Sequence, residues 1–370
     1  MRHAGHSDDR DVPPRPPRLC FVGPLAGARP GTVVTQGVRL SAHFRSAGHE
    51  VTAVSESSSR YVRFLDTVWT LIRRSRDIDI LVVHVYGGLS FLVEDAASLL
   101  GRLFGHSIIM VLHGGAMPEF MTRFPGWSAR VLRRAHAIVA PSPFLAKAVG
   151  LRGFPCRVIP NVIDLRLYPF RHRRTLAPRL LWMRSFHDVY NPAMAIRVLE
   201  RLRATHSGAT LVMGGQDKGT EIETRRLARR LGLEDATRFP GFLDMEGKLR
   251  EGESADIFIN TSHVDNMPVA VVEAAAFGIP VVSTSVGGVM DLLTDRETAL
   301  LVPDGDVDAM TGAIRLLLAD QELAGRLSAG GRTLAERSGW DRVRPQWDEV
   351  FVKVLAAGGD TPGQASNVRP

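Results

Sequence analysis

The chain has 370 residues, of which 45% are hydrophobic and 23% charged, the composition of a globular protein with two domains of ordinary size. Its formal net charge of +7 suits anionic lipid, nucleic acid or an anionic substrate alike. We set nucleic acid aside because the arginine clusters, such as residues 171–174, have no interleaved aromatic residues and no nucleic-acid-binding motif is present.

Two features of the sequence indicate the cellular compartment in which the protein is expected. Residues 1–17 contain no apolar run of the signal-peptide type, and no stretch reaches about 18 uninterrupted apolar residues. Cys20 and Cys156 are expected to be thiols rather than a disulfide, as in a reducing cytosol. We therefore expect a cytoplasmic protein, and its basic charge is compatible with peripheral contact at the anionic inner face of a membrane.

Residues 18–162 alternate short apolar runs with helical periodicity, the pattern of a parallel sheet covered on both faces. Residues 1–17 before this series are rich in Pro, Arg and Asp and are expected to be disordered, as are residues 358–370. The predicted strands are 19–22, 51–54, 78–85, 107–112, 137–140 and 157–159, and a helix is predicted over 33–47.

Residues 163–178 interrupt the alternation with proline and a charge run, so we place a hinge there. Residues 179–337 form a second series with strands at 180–183, 210–213, 257–260, 281–283 and 300–302. The predicted helices are 192–204, 221–231, 268–277, 307–336 and a last helix over 338–357. The fold class is therefore α/β, with two doubly wound, Rossmann-like domains facing a cleft that binds ligand at the carboxyl ends of the strands.

Residues 260–291 place two acidic side chains around a predicted helix start. Pro268 suits the first helical position, where its missing N–H costs nothing, and Asn266 or Asp265 can cap the helix. The free amides at this end form an anion site with the helix dipole behind them. Glu273 lies about two turns further along, so a pyrophosphate at the helix start would bring its ribose near that carboxylate.

This segment resembles the donor-site signature of the glycosyl transferases group 1 family, which are retaining glycosyltransferases with the GT-B fold. The signature is an acid, seven residues and Glu, followed by Ala-x-Ala-x-Gly-x-Pro-Val-Val and a Gly-Gly turn. Asp265 stands where the family more often has Glu, and Glu273 matches the second acid. The resemblance covers about residues 18–355 and implies a last helix that crosses back onto the first domain.

The resemblance also implies an activity. It implies transfer of a hexose-like sugar from a nucleotide-diphosphate sugar to an acceptor hydroxyl, which could be lipid-linked, with retention and with no metal or further cofactor. Asp265 would accept hydrogen bonds from the donor sugar, Glu273 would anchor the ribose, and Asn266, Met267 and Pro268 would contact the donor. In the family's front-face mechanism the leaving phosphate itself takes the acceptor proton, which fits the absence of an obvious base.

Five other residues are candidates for the site. Gly31 and Thr32 open the first helix and could present amides to the donor, or could belong to a loop that merely needs positive φ. His113 follows a strand inside the cleft and, by resemblance, contacts the transferred sugar; Glu119 is a weaker acceptor-side candidate. Phe242 lies in Phe-Pro-Gly-Phe-Leu, which resembles the family's base-binding strand end.

Arg184 occupies the place of the arginine in the family's phosphate clamp, and a planar guanidinium suits phosphate because it donates in pairs. The lysine that follows in the family is missing here. Losing one charged hydrogen bond to a diphosphate costs roughly 1.5–3 kcal/mol. His187, Tyr190 or Asn191 could substitute as donors, and otherwise the donor binds weakly or differs.

Competing hypotheses remain open. A glycosidase pair is disfavoured because Glu273 lies inside a helix, too far along from Asp265 to flank one sugar bond. The pairs Asp77/Asp79 and Asp306/Asp308 suggest a metal site only superficially, since the first opens a strand and the second caps a helix. A sugar-nucleotide 2-epimerase of the same fold would need further acid and base groups. A catalytically degenerate nucleotide-sugar-binding subunit would explain the missing lysine.

Overall fold

The computed structural model describes residues 15–25, 34–55, 57 and 59–359 of the chain. In this part of the chain two parallel six-stranded sheets are covered by helices, the first over residues 19–158 and the second over residues 179–302. Each sheet is parallel because at least one helix lies between successive strands of the sheet and carries the chain back over it.

The first sheet has the strand order β2-β1-β3-β4-β5-β6. Its central strands are buried along their whole length, which explains their continuous apolar sequences. The strands are β1 (Leu19–Val22), β2 (Val51–Val54), β3 (Ile80–Val85), β4 (Ser107–Leu112), β5 (Ala137–Ala140) and β6 (Arg157–Val158). The helices are α1 (Gln36–Ser46), α2 (Arg60–Arg73), α3 (Phe91–Leu103), α4 (Met117–Arg123), α5 (Pro125–Leu132) and α6 (Pro143–Gly150).

The second sheet has the strand order β12-β11-β10-β7-β8-β9. Its strands are β7 (Arg179–Met183), β8 (Thr210–Gly214), β9 (Thr237–Gly241), β10 (Ile257–Asn260), β11 (Val281–Thr284) and β12 (Leu300–Val302). Its helices are α7 (Pro192–Arg203), α8 (Glu221–Arg230), α9 (Met245–Ser254), α10 (Val269–Ala276), α11 (Val289–Leu292), α12 (Val307–Ala319) and α13 (Gln321–Glu336). The long helix α14 (Trp340–Gly359) follows.

Helix α14 packs on the first sheet although it follows the second in the chain. Its side chains Val343, Trp347 and Phe351 belong to the core that includes Phe44 of α1. The hydroxyl of Ser107 donates to the carbonyl of Val354 at 3.0 Å. This packing confirms the predicted α/β class, with two doubly wound units and a last helix that crosses back.

The prediction of one helix over 307–336 is wrong. Asp320 separates α12 from α13, and its side chain accepts hydrogen bonds from the amides of Glu322 and Leu323. A carboxylate in this position satisfies the free amides of a new helix start, so the chain turns at Asp320 instead of continuing. In the described residues we find no helix that is long and apolar enough to span a bilayer.

Candidate functional site

The carboxyl ends of β7 and β10 are the natural place for a ligand. The strand order of the second sheet reverses between these two strands, and open α/β sheets bind ligands at such a switch point. Arg184 follows β7 directly, and the loop of residues 261–268 follows β10 and leads into α10. The topology therefore brings together two parts of the predicted site that are about eighty residues apart in sequence.

Arg184 and Asp265 form an ion pair at this point. The Nη2 atom of Arg184 donates to Oδ2 of Asp265, and each side chain is only 11% exposed. The second carboxylate oxygen of Asp265 accepts from the amide of Asn266 at 2.9 Å. The Arg184 guanidinium also lies 4.1 Å above the centre of the Tyr190 ring. Arg184 is thus held as a fixed cation beside the predicted donor loop.

The Gly-Gly turn of the motif makes room for this loop. The amide of Gly288 donates to the carbonyl of Asp265 at 3.0 Å. A Cβ on Gly288 would overlap the carbonyl oxygen of Asn266, and a Cβ on Gly287 would overlap that of Asp265. Gly287 also has a φ of +49°, which favours glycine. The turn is therefore required for the close packing of residues 265–266.

The start of α10 differs from the prediction by one residue. Pro268 has a φ of −68° and a ψ of 104°, so it is the N-cap, and the helix begins at Val269. No side chain caps the helix, which corrects the role predicted for Asn266 or Asp265. The reason is that the amide oxygen of Asn266 accepts instead from the hydroxyl of Ser142, beside the first sheet. The first amides of α10 consequently have no partner within the helix.

Glu273 lies on α10, fully buried, at the centre of a cluster of donors. Its Oε1 accepts from Arg39 Nη2 at 3.0 Å and from the Tyr168 hydroxyl at 2.9 Å. Its Oε2 accepts from Lys248 Nζ at 2.6 Å. Burial raises the pKa of Glu273, but the attraction of Lys248 and Arg39 outweighs burial, so the pKa lies below its ordinary value. Glu273 is therefore an ionised carboxylate.

The three partners of Glu273 are functional candidates that sequence reasoning missed. Arg39 comes from α1 of the first sheet, Tyr168 from the segment between the sheets, and Lys248 from α9. No sequence motif marks them, because each is an ordinary surface-type residue in its own element. Arg39 reaches Glu273 only because the two halves of the chain pack together, whereas Tyr168 and Lys248 reach it from the linking segment and from the second half itself.

Residues of the motif loop contact the first half of the chain at further points. Met267 Sδ lies 3.2 Å from the amide nitrogen of Asn161. A Cβ on Gly115, in the loop after β4, would lie 3.5 Å from the carbonyl carbon of Asp265. The cleft between the two sheets is thus closed around residues 265–267, and these contacts place the predicted donor loop at the interface of the two halves.

His113 lies at the end of β4, as predicted, and is buried in an aromatic stack. Its Nε2 lies 2.7 Å from Nδ1 of His84, and its ring is stacked on those of His84 and Tyr86, with centroids 5.0 and 4.8 Å away. Burial lowers the pKa of His113 to about 4. Burial, and to a lesser extent His113, also lowers the pKa of His84 well below its ordinary value. Both rings are therefore neutral near pH 7, which suits hydrogen bonding better than proton transfer.

The remaining predicted residues occupy varied positions. Glu119 is an exposed residue of α4, and Phe242 is half-buried just after the carboxyl end of β9. The amide of Gly215 donates to the carbonyl of Gly241 at 2.8 Å, so the Phe242 segment adjoins the loop after β8. Gly31 and Thr32 lie outside the described residues.

Two of the three residues suggested as substitutes for the missing lysine have structural tasks. The Asn191 side chain caps α7 by accepting from the amide of Met194, and His187 Nδ1 accepts from the amide of Val189. The third, Tyr190, stacks its ring against the guanidinium of Arg184. Lys248 is a lysine that does lie at the motif helix, where its Nζ pairs with Glu273 at 2.6 Å.

The two Asp-x-Asp pairs have ordinary structural roles. Asp79 binds the guanidinium of Arg18, and Asp77 lies 3.6 Å from the same group. Asp306 caps α12 by accepting from the amide of Ala309 at 2.8 Å, as the sequence suggests. Across residues 15–25, 34–55, 57 and 59–359 no group of three or more His, Cys, Asp or Glu side chains is arranged to hold a metal ion.

The chain is similar to known protein families over most of its length. The family described as "Glycosyl transferases group 1" matches residues 172–334, and "Glycosyltransferase Family 4" matches residues 32–167. The glycogen synthase of Mycobacterium tuberculosis is 31% identical over an alignment of 297 residues, which covers 73% of this chain and 68% of the relative. A D-inositol 3-phosphate glycosyltransferase of Saccharomonospora viridis is 32% identical over 40% of this chain and 35% of its own length.

Solved structures show the same fold. Sucrose-phosphate synthase from Thermosynechococcus elongatus superposes with a TM-score of 0.78 at 17% identity, covering 92% of this chain and all of the other. Anabaena HepE in complex with UDP and glucose superposes with a TM-score of 0.72 at 16% identity, covering 91% of this chain and 99% of the other. The two-sheet architecture with its returning last helix is therefore that of GT-B glycosyltransferases.

Proposed function

Since this chain belongs to the glycosyl transferases group 1 family, we propose that it transfers a hexose-like sugar from a nucleotide-diphosphate sugar to an acceptor hydroxyl. We further propose that transfer proceeds with retention and without a metal ion, in the synthesis of a polysaccharide, a glycolipid or a small-molecule glycoside. The observation that carries this proposal is the Arg184–Asp265 pair at the switch point, beside the start of α10, the helix that carries Glu273.

The diphosphate of the donor is proposed to bind between Arg184 and the start of α10. The free amides of Val269 and Ala270 would donate to it, with the helix dipole behind them. The Arg184 guanidinium would exchange its bond to Asp265 for bonds to phosphate oxygens. Asp265, released in this way, would accept hydrogen bonds from the hydroxyls of the donor sugar. The Arg184–Asp265 ion pair thus keeps both groups oriented before the donor arrives.

The ribose is proposed to bind at Glu273. A carboxylate has about four lone-pair sites, and Arg39, Tyr168 and Lys248 occupy three of them. One site on Oε2 remains for a ribose hydroxyl, and movement of Arg39 would free a second. Because Glu273 is buried by side chains from both halves of the chain, nucleotide entry requires the two halves to separate at Arg39.

The chemistry needs few groups beyond these. The bond between the anomeric carbon and the donor phosphate oxygen breaks, and the acceptor oxygen bonds to that carbon on the same face. The acceptor proton passes to an oxygen of the departing phosphate, so no protein base is required. Arg184 and the amides of α10 stabilise the negative charge that develops on the leaving group. The closed cleft keeps water away from the reactive sugar.

Three further observations support a nucleotide-sugar donor. HepE, whose fold this chain shares, holds UDP and glucose, and HepE has also been solved with UDP-glucose. The neutral His113 ring lies at the edge of the first sheet that faces the motif loop, where it can hydrogen-bond a sugar hydroxyl. Lys248 and Arg39 add positive charge near the proposed ribose site, which partly offsets the missing phosphate-site lysine.

Thermal-shift screening against UDP, GDP, ADP and dTDP and their sugars tests the donor, and product analysis then tests the reaction. We expect one nucleotide to raise the melting temperature and its sugar to be transferred to an acceptor hydroxyl. An epimerised nucleotide sugar formed without acceptor would identify an epimerase instead. Saturable donor binding with no transfer across a broad acceptor panel would identify a nucleotide-sugar-binding subunit.

A further inference from the structure

Helix α2 presents its apolar side chains to solvent. Tyr61, Leu65, Trp69 and Ile72 follow one another at spacings of three and four residues and so form a single stripe. Leu65 is 67% exposed and Trp69 63% exposed, whereas Thr67 and Leu71 on the inner side are fully buried. A surface helix normally buries its apolar stripe and exposes its polar one.

Helix α3 continues this surface. It packs beside α2 on the same side of the first sheet, and its residues Leu92, Leu99 and Leu103 are exposed at helical spacing. We define the α2–α3 face by its large exposed apolar residues: Tyr61, Val62, Leu65, Trp69, Ile72, Leu92, Leu99 and Leu103. Contiguous apolar surfaces of this kind on soluble domains mark interaction sites.

The charges around this face are mostly positive. Residues 60–77 contain five arginines and two aspartates. Arg73, Arg74 and Arg76 are exposed where α2 ends. The acid of α3 that borders the face, Asp95, is engaged by Arg134, Arg130 and the indole of Trp127. An approaching partner therefore meets an apolar centre with cations at its border.

We propose that the α2–α3 face docks on an anionic lipid bilayer. Leucine and isoleucine side chains would enter the acyl boundary, and Tyr61 and Trp69 have the amphipathic rings that favour the headgroup level. The arginines at the end of α2 would bind lipid phosphates, each adding an electrostatic attraction that salt weakens. The combination of interfacial aromatic residues with a cationic border matches a membrane surface in both polarity and charge.

The position of the α2–α3 face would bring a bound bilayer close to the cleft between the two sheets. Helix α2 starts at the carboxyl end of β2, and exposed Leu89 follows the carboxyl end of β3. This edge of the first sheet is also the edge that carries His113. A bilayer on the α2–α3 face would therefore lie next to the opening of the cleft. Docking itself does not depend on the sugar-transfer chemistry.

Vesicle binding tests this assignment on the full chain. We expect co-sedimentation with vesicles of phosphatidylcholine and phosphatidylglycerol in equal parts, weaker binding to phosphatidylcholine alone, and release by high salt. Trp69 is the one exposed residue among the five tryptophans, so its emission should shift to shorter wavelength on binding. The Trp69→Phe variant should bind vesicles but lose the shift. Failure of the wild-type protein to bind, or an unchanged emission on binding, would overturn the proposal.

Amino-acid substitutions test whether the α2–α3 face is the surface that binds vesicles. Leu65→Glu with Trp69→Glu should lower vesicle affinity by at least about ten-fold, because charged side chains resist burial in lipid. Arg73→Glu with Arg74→Glu should lower affinity for the anionic vesicles only. Val352→Glu is the matched control, since Val352 is 68% exposed on α14, on the opposite side of the first sheet. Equal losses in the control would overturn the assignment. The assignment would also be overturned if the protein had no affinity for vesicles and instead formed a dimer that the Leu65→Glu substitution dissociates.

Discussion

Arg39 on the first sheet's α1 donates to Glu273 on the second sheet's α10, with Nη2 3.0 Å from Oε1, so one buried ion pair joins the two halves of the chain. The same carboxylate is the proposed ribose anchor. Binding of a nucleotide and separation of the two halves are therefore coupled through Glu273, since the ribose must share or replace the partner that holds the cleft closed.

Replacing Glu273 by glutamine should weaken nucleoside diphosphate binding by about ten-fold or more. The amide cannot accept from ribose hydroxyls as strongly as the carboxylate, and a charged hydrogen bond contributes about 1.5–3 kcal/mol. Isothermal titration calorimetry measures the effect. Asp256→Asn is the matched control, because Asp256 is equally buried and paired with Arg171 and Arg179, but at the start of β10. An affinity that Glu273→Gln leaves unchanged contradicts the ribose role.

Replacing Arg184 by alanine should lower kcat by ten-fold or more, because it removes a cation from the developing charge of the leaving phosphate. Steady-state kinetics on the identified donor and acceptor measure it. Arg201→Ala serves as control, since Arg201 pairs with Asp308 on the surface of the second domain. Wild-type turnover in Arg184→Ala would show that Arg184 is misplaced in this mechanism.

Chelation should leave the activity intact. In the proposed mechanism Arg184 and helix amides stabilise the diphosphate, so no divalent cation is needed to neutralise it. The measurement compares initial rates after dialysis against EDTA with rates after Mg²⁺ is restored. A loss of activity that Mg²⁺ reverses would require a metal in the reaction.

Lowering the pH should destabilise the protein through His113. Its pKa is lowered by burial from 6.5 to about 4, so the unfolded chain binds a proton that the folded chain rejects between these values. The stabilisation is complete above pH 6.5 and is lost as the pH falls toward 4, by at most about 3 kcal/mol for this group. Melting curves of wild type and His113→Gln at pH 7.5 and 5 measure it.

Between pH 7.5 and 5 the His113→Gln variant should lose less stability than wild type. His84 contributes to the pH dependence of stability in both proteins. His206→Gln, at a half-buried position after α7, is the control and should keep the wild-type slope. Parallel slopes in wild type and His113→Gln would mean that His113 is not held neutral by burial.

Much of the fold follows from local sequence. Strands such as Leu19–Val22 and Ser107–Leu112 are short apolar runs between turn signals, and their predicted bounds agree with the structure. The break at Asp320 is missed because the apolar periodicity runs through it, while the new helix start is marked by a single capping side chain. Helix α2 shows the limit of such patterns, because periodicity predicts a stripe but not whether it faces the core or the solvent.

The site is predictable where its residues follow neighbouring strands of one sheet. Arg184 and Asp265 follow neighbouring strands, so the sheet order alone brings them together. The partners of Glu273 could not be predicted, because Arg39 lies 234 residues away and meets it only when the two halves pack. The helix cap predicted for Asn266 is wrong for the same reason. The amide oxygen of Asn266 accepts a hydrogen bond from Ser142, which comes from the other half of the chain.

The most direct test is a crystal structure of the protein with the nucleoside diphosphate that stabilises it. We predict the two phosphates beside Arg184 and the amides of Val269 and Ala270, with the ribose hydroxyls on Glu273 and Arg39 displaced. A nucleotide bound elsewhere, with the Arg184–Asp265 and Arg39–Glu273 pairs intact, would contradict the proposed donor site and the activity built on it.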